Sequence, residues 1–166
     1  MPRRRIFWIA GLIVVSVIAV VIITLALTPQ ETNPAFAAAT TFMNGAGKGD
    51  DTVAGRLLSA EMQTYVQANC PNGSVSACIM GYAPAEWGAL ISAVFRRAAP
   101  DGKNWNVELI ANYAHNQGAS GVCSQYRMQQ DDSGEWRVYG WAGFLWCGDP
   151  RSRNMATNPD TPNRAP

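Results

Sequence analysis

The strongest constraint on this fold is the stretch 105–146, where apolar and polar residues alternate through three segments that are separated by turn residues. Alternation with a period of two sends successive side chains to opposite faces, and the Trp, Tyr, Val and Phe content suits a pleated, half-buried surface. The segments predicted as strands are 105–113, 120–130 and 135–147, with turns at 115–118 and 131–134. Three long antiparallel strands in succession need an apolar layer to lie against.

A chain of 166 residues that is 48% hydrophobic has room for one domain with a core of its own, plus short flanking segments. Three of its basic residues, Arg3, Arg4 and Arg5, sit together, and without them 10 basic residues face 12 acidic ones. That balance is no footprint for a polyanion, so nucleic acid is not an expected partner.

Residues 6–27 form a run of 22 without a charge, rich in Ile, Val, Leu and Ala. As a helix rising about 1.5 Å per residue, such a run crosses a hydrocarbon layer about 30 Å thick, with its backbone hydrogen bonds satisfied internally. Residues 1–5 carry the arginines, so the positive-inside rule puts them in the cytoplasm and everything after the run outside. The chain is therefore expected in the plasma (cytoplasmic) membrane as a single-pass protein that contacts lipid through residues 6–27. A cleaved signal peptide ending near Ala35-Phe36-Ala37 is the competing reading, but its apolar part would be longer than such signals carry. Residues 28–33 are polar, contain Pro29 and read as a short linker.

Asn33-Pro34 is a helix start, with Asn as cap and Pro in the first turn; Gly45, Gly47 and Gly49 end that helix. Further short helices are expected at 52–58, 60–68 and 75–80, capped by Asp50 or Asp51 and by Ser59. Residues 84–97 fit a helical spacing through Trp87, Leu90, Ile91, Val94 and Phe95. The turn residues at 99–102 lead straight into the next strand, however, and favour 88–98 as the first strand of a four-stranded meander.

The order of elements is a membrane anchor, short helices through Phe42, Gly49-Asp50, Ala54 and Leu57-Leu58-Ser59, then long strands ending in Trp136 to Trp141. Over residues 33–147 this order resembles the cone-shaped α+β fold of the nuclear transport factor two-like superfamily, which also holds ketosteroid isomerase. The resemblance implies an α+β domain at 34–147, with short helices on a curved antiparallel sheet of three to four strands. It also implies a pocket between the layers, here with Tyr113, Tyr126, Met128, Phe144 and Trp146. Its members range from isomerases and dehydratases to domains that only bind or assemble, so function stays open.

A three-residue hairpin at 131–134 pairs Asp131 with Glu135. That register puts Trp136, Val138, Ala142, Phe144 and Trp146 on the core side with Val122, Tyr126 and Met128. It puts Arg137, Tyr139, Trp141 and Leu145 outside with Gln125, Arg127 and Gln129, and Glu108 outward on the strand before. Tyr139, Trp141 and Leu145 among Arg127 and Arg137 form a candidate partner surface, for another membrane protein or a second copy.

A proton-transfer enzyme needs an acid or base in its pocket and a donor for the developing oxyanion. Tyr113 and Tyr126 supply donors, and the inner strand positions supply no acid or base. His115 falls in a turn, Asp50 and Asp51 read as caps, and only Glu61 or Glu86 could reach in from the helical half. The expected function is binding or assembly without catalysis, as an accessory subunit of a membrane complex, with an isomerase or dehydratase as the alternative. The four cysteines contain no Cys-x-x-Cys and accompany one histidine, so no metal and no cofactor is expected. In the same register Cys123 and Cys147 lie about 13 Å apart, too far for a bond, so each is expected to reach back to Cys70 or Cys78. A Cys70 to Cys78 bridge with two free thiols is the alternative. Residues 148–166 hold four prolines and one large apolar residue, Met155, and read as an extended or disordered tail.

Overall fold

The computed structural model describes residues 33–115 and 121–154, together with Ser16 and Ile18, which are helical. The membrane-spanning expectation for residues 6–27 otherwise lies outside the described residues, among which no helix is long and apolar enough to cross a membrane.

The architecture is α+β. Among the described residues from 33 onward, four α-helices come first, α1 (Pro34–Gly47), α2 (Asp51–Arg56), α3 (Ala60–Asn69) and α4 (Val75–Met80). A four-stranded antiparallel sheet follows in the order β1 (Leu90–Asp101), β2 (Asn104–Tyr113), β3 (Val122–Gln130) and β4 (Trp136–Trp146). Residues 88–98 are thus largely strand, and the pairing runs on through Pro100 and Asp101 to a tighter turn than expected.

The helix caps are those the sequence offers. The Asn33 side chain accepts from the Ala35 amide at 2.9 Å, and those of Asp50, Ser59 and Ser74 each accept from the amide three residues on. Asp51 caps a different helix, accepting from the Ser76 amide at 2.7 Å in the first turn of α4. Burial pulls its carboxyl upward, but the bonds from Ser76 and Ser74 outweigh that and leave it below the ordinary aspartate range.

The core lies between α1 and the inner face of the sheet, where Ala39, Phe42, Met43 and Ala46 meet Val107, Leu109, Tyr126 and Met128, all without exposed surface. Asn44 fixes the helix to the sheet edge. Its side chain donates to the Ala93 carbonyl at 2.9 Å and accepts from the Ala93 amide at 3.0 Å, taking the place of a neighbouring strand. The opposite edge is met at Val138, which donates to the Leu57 carbonyl and accepts from the Ser59 amide at 2.7 and 2.9 Å.

The β3–β4 register corrects the uniform pairing expected from the hairpin. Gln130 does face Trp136, but one extra residue enters β4 at Tyr139 and another at Phe144, so that Cys123 faces Leu145 and Val122 faces Trp146. Each bulge turns the strand over by one position. Trp141, expected outside, therefore points inward opposite Tyr126, fully buried between the rings of Phe42 and Tyr65, while Ala142, expected inside, lies opposite Gln125. Cys147 gains two positions relative to Cys123, and the two form the disulfide that a constant register forbids, with Cα atoms 4.9 Å apart. The second bond joins Cys70 to Cys78, so all four cysteines are paired within their own halves of the domain.

The stretch after Cys147 is also folded further than expected. Residues Pro150–Asn154 form a 3-10 turn against the sheet, and Ser152 is completely buried. The described fold therefore runs past 147 to 154.

Candidate functional site

Three places on this fold bear on function: the space between helices and sheet, the outer sheet face, and a groove at one end of the helical layer.

The first is filled. Tyr113, Tyr126 and Met128 have no exposed surface, and the Tyr126 hydroxyl lies on the Met43 sulfur at 2.9 Å beside the Phe42 ring. Phe144 stacks on Tyr82, and Trp146, 38% exposed, leans on Trp87 at the margin. Tyr113, Tyr126, Met128 and Phe144 belong to one packed core, into which α1 sends Phe42 and Met43, and Trp146 stays at its exposed margin. Burial pushes the Tyr113 phenol up to about 12 and that of Tyr126 further still, a bond from Ser124 opposing and the nearby Tyr113 adding to the rise. Glu61, Glu86 and His115 all sit at the exposed surface, so none of them joins the two tyrosines as a base.

On the outer face, two cross-sheet rows differ in character. Val94, Ile110, Cys123 and Leu145 make an apolar row, with Val94 46% exposed; Ile91, at the irregularity near the start of β1, is 60% exposed. The next row is Arg97, Glu108, Gln125 and Ala142. Glu108 faces outward as expected, yet it is fully buried, because Arg97 grips it through two bonds of 2.6 and 3.1 Å and Arg96 approaches to 3.5 Å. The 3-10 turn after β4 closes over this cluster. Arg97 and Arg96 both donate to the Ser152 carbonyl, at 2.7 and 3.3 Å, and Arg96 also reaches the Cys123 sulfur at 2.8 Å.

Of the expected partner surface, Tyr139 and Arg127 meet as a cation over a ring at 5.2 Å, and Leu145 lies in the apolar row. Arg137 is committed to the hairpin. It donates to Asp131 at 2.8 Å, to Glu135 and to the Arg56 carbonyl. Asp131 also accepts from the Ser133 hydroxyl, and those contacts hold its carboxyl far below the usual range.

The groove is bounded by α1 through Pro34, Ala38 and Thr41, by α2 through Val53 and Arg56, and by Leu57 just after α2. The hairpin closes its third side with residues 134–137, Trp136 among them, around a volume of about 630 Å³. Nothing in the sequence alone singles out Arg56. Only the pairing of α1 with α2 shows that it borders an apolar cleft. Among the described residues no cluster of His, Cys, Asp and Glu is placed to hold a metal ion.

The chain matches no protein-family model, no curated protein and no solved structure.

Proposed function

We propose that this chain is a membrane-anchored extracytoplasmic binding or assembly domain, an accessory subunit of a membrane complex that acts without catalysis. The observation that carries the reading is the packed interior. The two tyrosines that could orient a reacting ligand are sealed against Met43, Phe42 and Trp87, and the buried carboxylate Glu108 lies on the other side of the sheet in the grip of two arginines. What the fold offers instead is surface: an apolar row through Val94 and Leu145 beside a polar network, the mixture typical of a partner interface. Two disulfides agree with an oxidising compartment beyond the membrane, which the charge-free run at 6–27 and the preceding arginines also favour.

The test is crosslinking in the native membrane from a photoreactive residue at position 94, followed by native purification. The expected result is a discrete adduct with a second polypeptide. Recovery of an uncrosslinked monomer alone would overturn the proposal.

A further inference from the structure

We propose that the Cys123–Cys147 disulfide is an exchangeable bond, opened at the Cys147 sulfur by an external dithiol, while Arg96 steadies the Cys123 thiolate that departs. The inference goes beyond the assembly role and does not rest on it. The Nη1 of Arg96 donates to Cys123 Sγ at 2.8 Å, and among the described residues no guanidinium bonds a sulfur of the other bridge, Cys70–Cys78. The two ends of the bond also differ in access. Cys123 has no exposed surface, whereas Cys147 is half-buried at the end of β4, between the exposed Trp146 and Gly148. An incoming thiolate therefore meets the Cys147 sulfur, and the sulfur it displaces is the one beside the cation.

Charge favours that departure. Arg96 and Arg97 both face the one buried carboxylate of Glu108, at 3.5 and 2.6 Å, and Arg97 already grips it with two bonds. The other oxygens that Arg96 meets are neutral, the carbonyl and hydroxyl of Ser152 at 3.3 and 3.5 Å. Two guanidiniums around one carboxylate leave a surplus positive charge, which a thiolate at Cys123 balances. Burial raises a thiol's pKa, but an adjoining cation lowers it, and a thiol of lower pKa leaves faster. In the first step a bond forms between the attacking sulfur and Cys147 as the Cys147–Cys123 bond breaks, its electron pair remaining on Cys123. The second thiolate of the dithiol then closes the dithiol's own disulfide, and Cys147 leaves and takes up a proton. Two electrons have passed to the protein, and the tether just ahead of the turn that covers Glu108 is cut.

The full-length protein in phosphatidylcholine nanodiscs, without denaturant, is equilibrated with reduced and oxidised glutathione at stepped ratios, acid-quenched, alkylated and mapped by mass spectrometry. Cys123–Cys147 is expected to open at ratios that leave Cys70–Cys78 intact, with glutathione carried on Cys147 and Cys123 free. In timed reactions with dithiothreitol, Arg96→Gln should slow the opening about fivefold and Arg96→Lys should keep most of the rate, whereas a merely loosened fold would open faster. Glutathione carried on Cys123, a Cys70–Cys78 bridge that opens first or together with the other, an Arg96→Gln variant that opens as fast as the unaltered chain or faster, or an Arg96→Lys variant as slow as Arg96→Gln would each overturn the proposal. The first two of these readings need no variant, so they decide the matter even where a substitution prevents folding.

Discussion

On the helix side of the sheet, Val107 and Tyr126 meet Phe42 and Met43 across an interface without a charge, whereas one position along the same strands Glu108 and Gln125 are buried beneath two arginines and a chain segment. Burial of these residues of β2 and β3 is equally complete, but it is achieved differently. The inner face excludes water because its side chains fit one another. The outer face excludes it locally, because Arg96, Arg97 and the turn at Pro150–Asn154 sit on the Glu108 carboxylate. The inner arrangement depends on shape, and the outer one on a cover.

The largest expected effect tests the inner side. Phe42→Ala should lower unfolding free energy in urea by about 4 kcal/mol, and by the same amount in a chain ending at Gly148, since the cavity does not involve the cover. Unequal costs in the two backgrounds would blur the distinction between the faces. Next comes Cys147→Ser, which opens a bridge between residues 24 apart in sequence and should cost about 3 kcal/mol, with faster proteolysis after residue 147 as its local signature.

Glu108→Ala leaves the arginines without their partner. With Arg97 41% exposed and partly served by water, the expected cost is about 2 kcal/mol. Here the background should matter: in the chain ending at Gly148 the same substitution should cost markedly less, a non-additivity that a double-mutant cycle reads directly. Asn44→Ala, at the helix-to-edge contact, should cost about 1.5 kcal/mol by stranding the Ala93 amide and carbonyl, and hydrogen exchange at Ala93 should rise with it.

The alkaline limb separates the faces by pH. Tyr113 has a folded value near 12 against 10 unfolded, so its contribution is whole below pH 10 and is lost between pH 10 and 12 as the unfolded chain binds fewer protons. Tyrosinate absorbance should therefore rise in step with unfolding in that window for Tyr113 and Tyr126. A phenolate signal from either that precedes unfolding would show the inner face to be less sealed than its packing indicates.

Much of the architecture could be read from residues whose effect is local. Asn33-Pro34, Ser59 and the hairpin residues 131–134 act within a few positions, and the elements they delimit are where local chemistry puts them. What the sequence hid is what depends on counting across a sheet. Nothing about Tyr139 or Phe144 as residues announces a bulge, and without those two bulges the facing of Trp141 and the partner of Cys123 both come out wrong. Glu108 was legible as outward but not as buried, because its cover comes from a proline-rich stretch whose composition suggests no structure. Arg56 and the groove were hidden for the same reason, since the cleft exists only where α1 and α2 converge.

The two surplus residues in β4 also determine how this strand can change over evolutionary time. Phe144 takes a left-handed backbone at φ 65°, directly after Gly143 at φ 104°, a conformation tolerated only where its surroundings insist on it. Substitutions along the strand would alter its fit by degrees, but a single-residue deletion between 139 and 144 would swap interior for exterior over everything downstream, carrying Cys147 out of reach of its mate. Homologous chains should therefore vary very little in the number of residues across this segment.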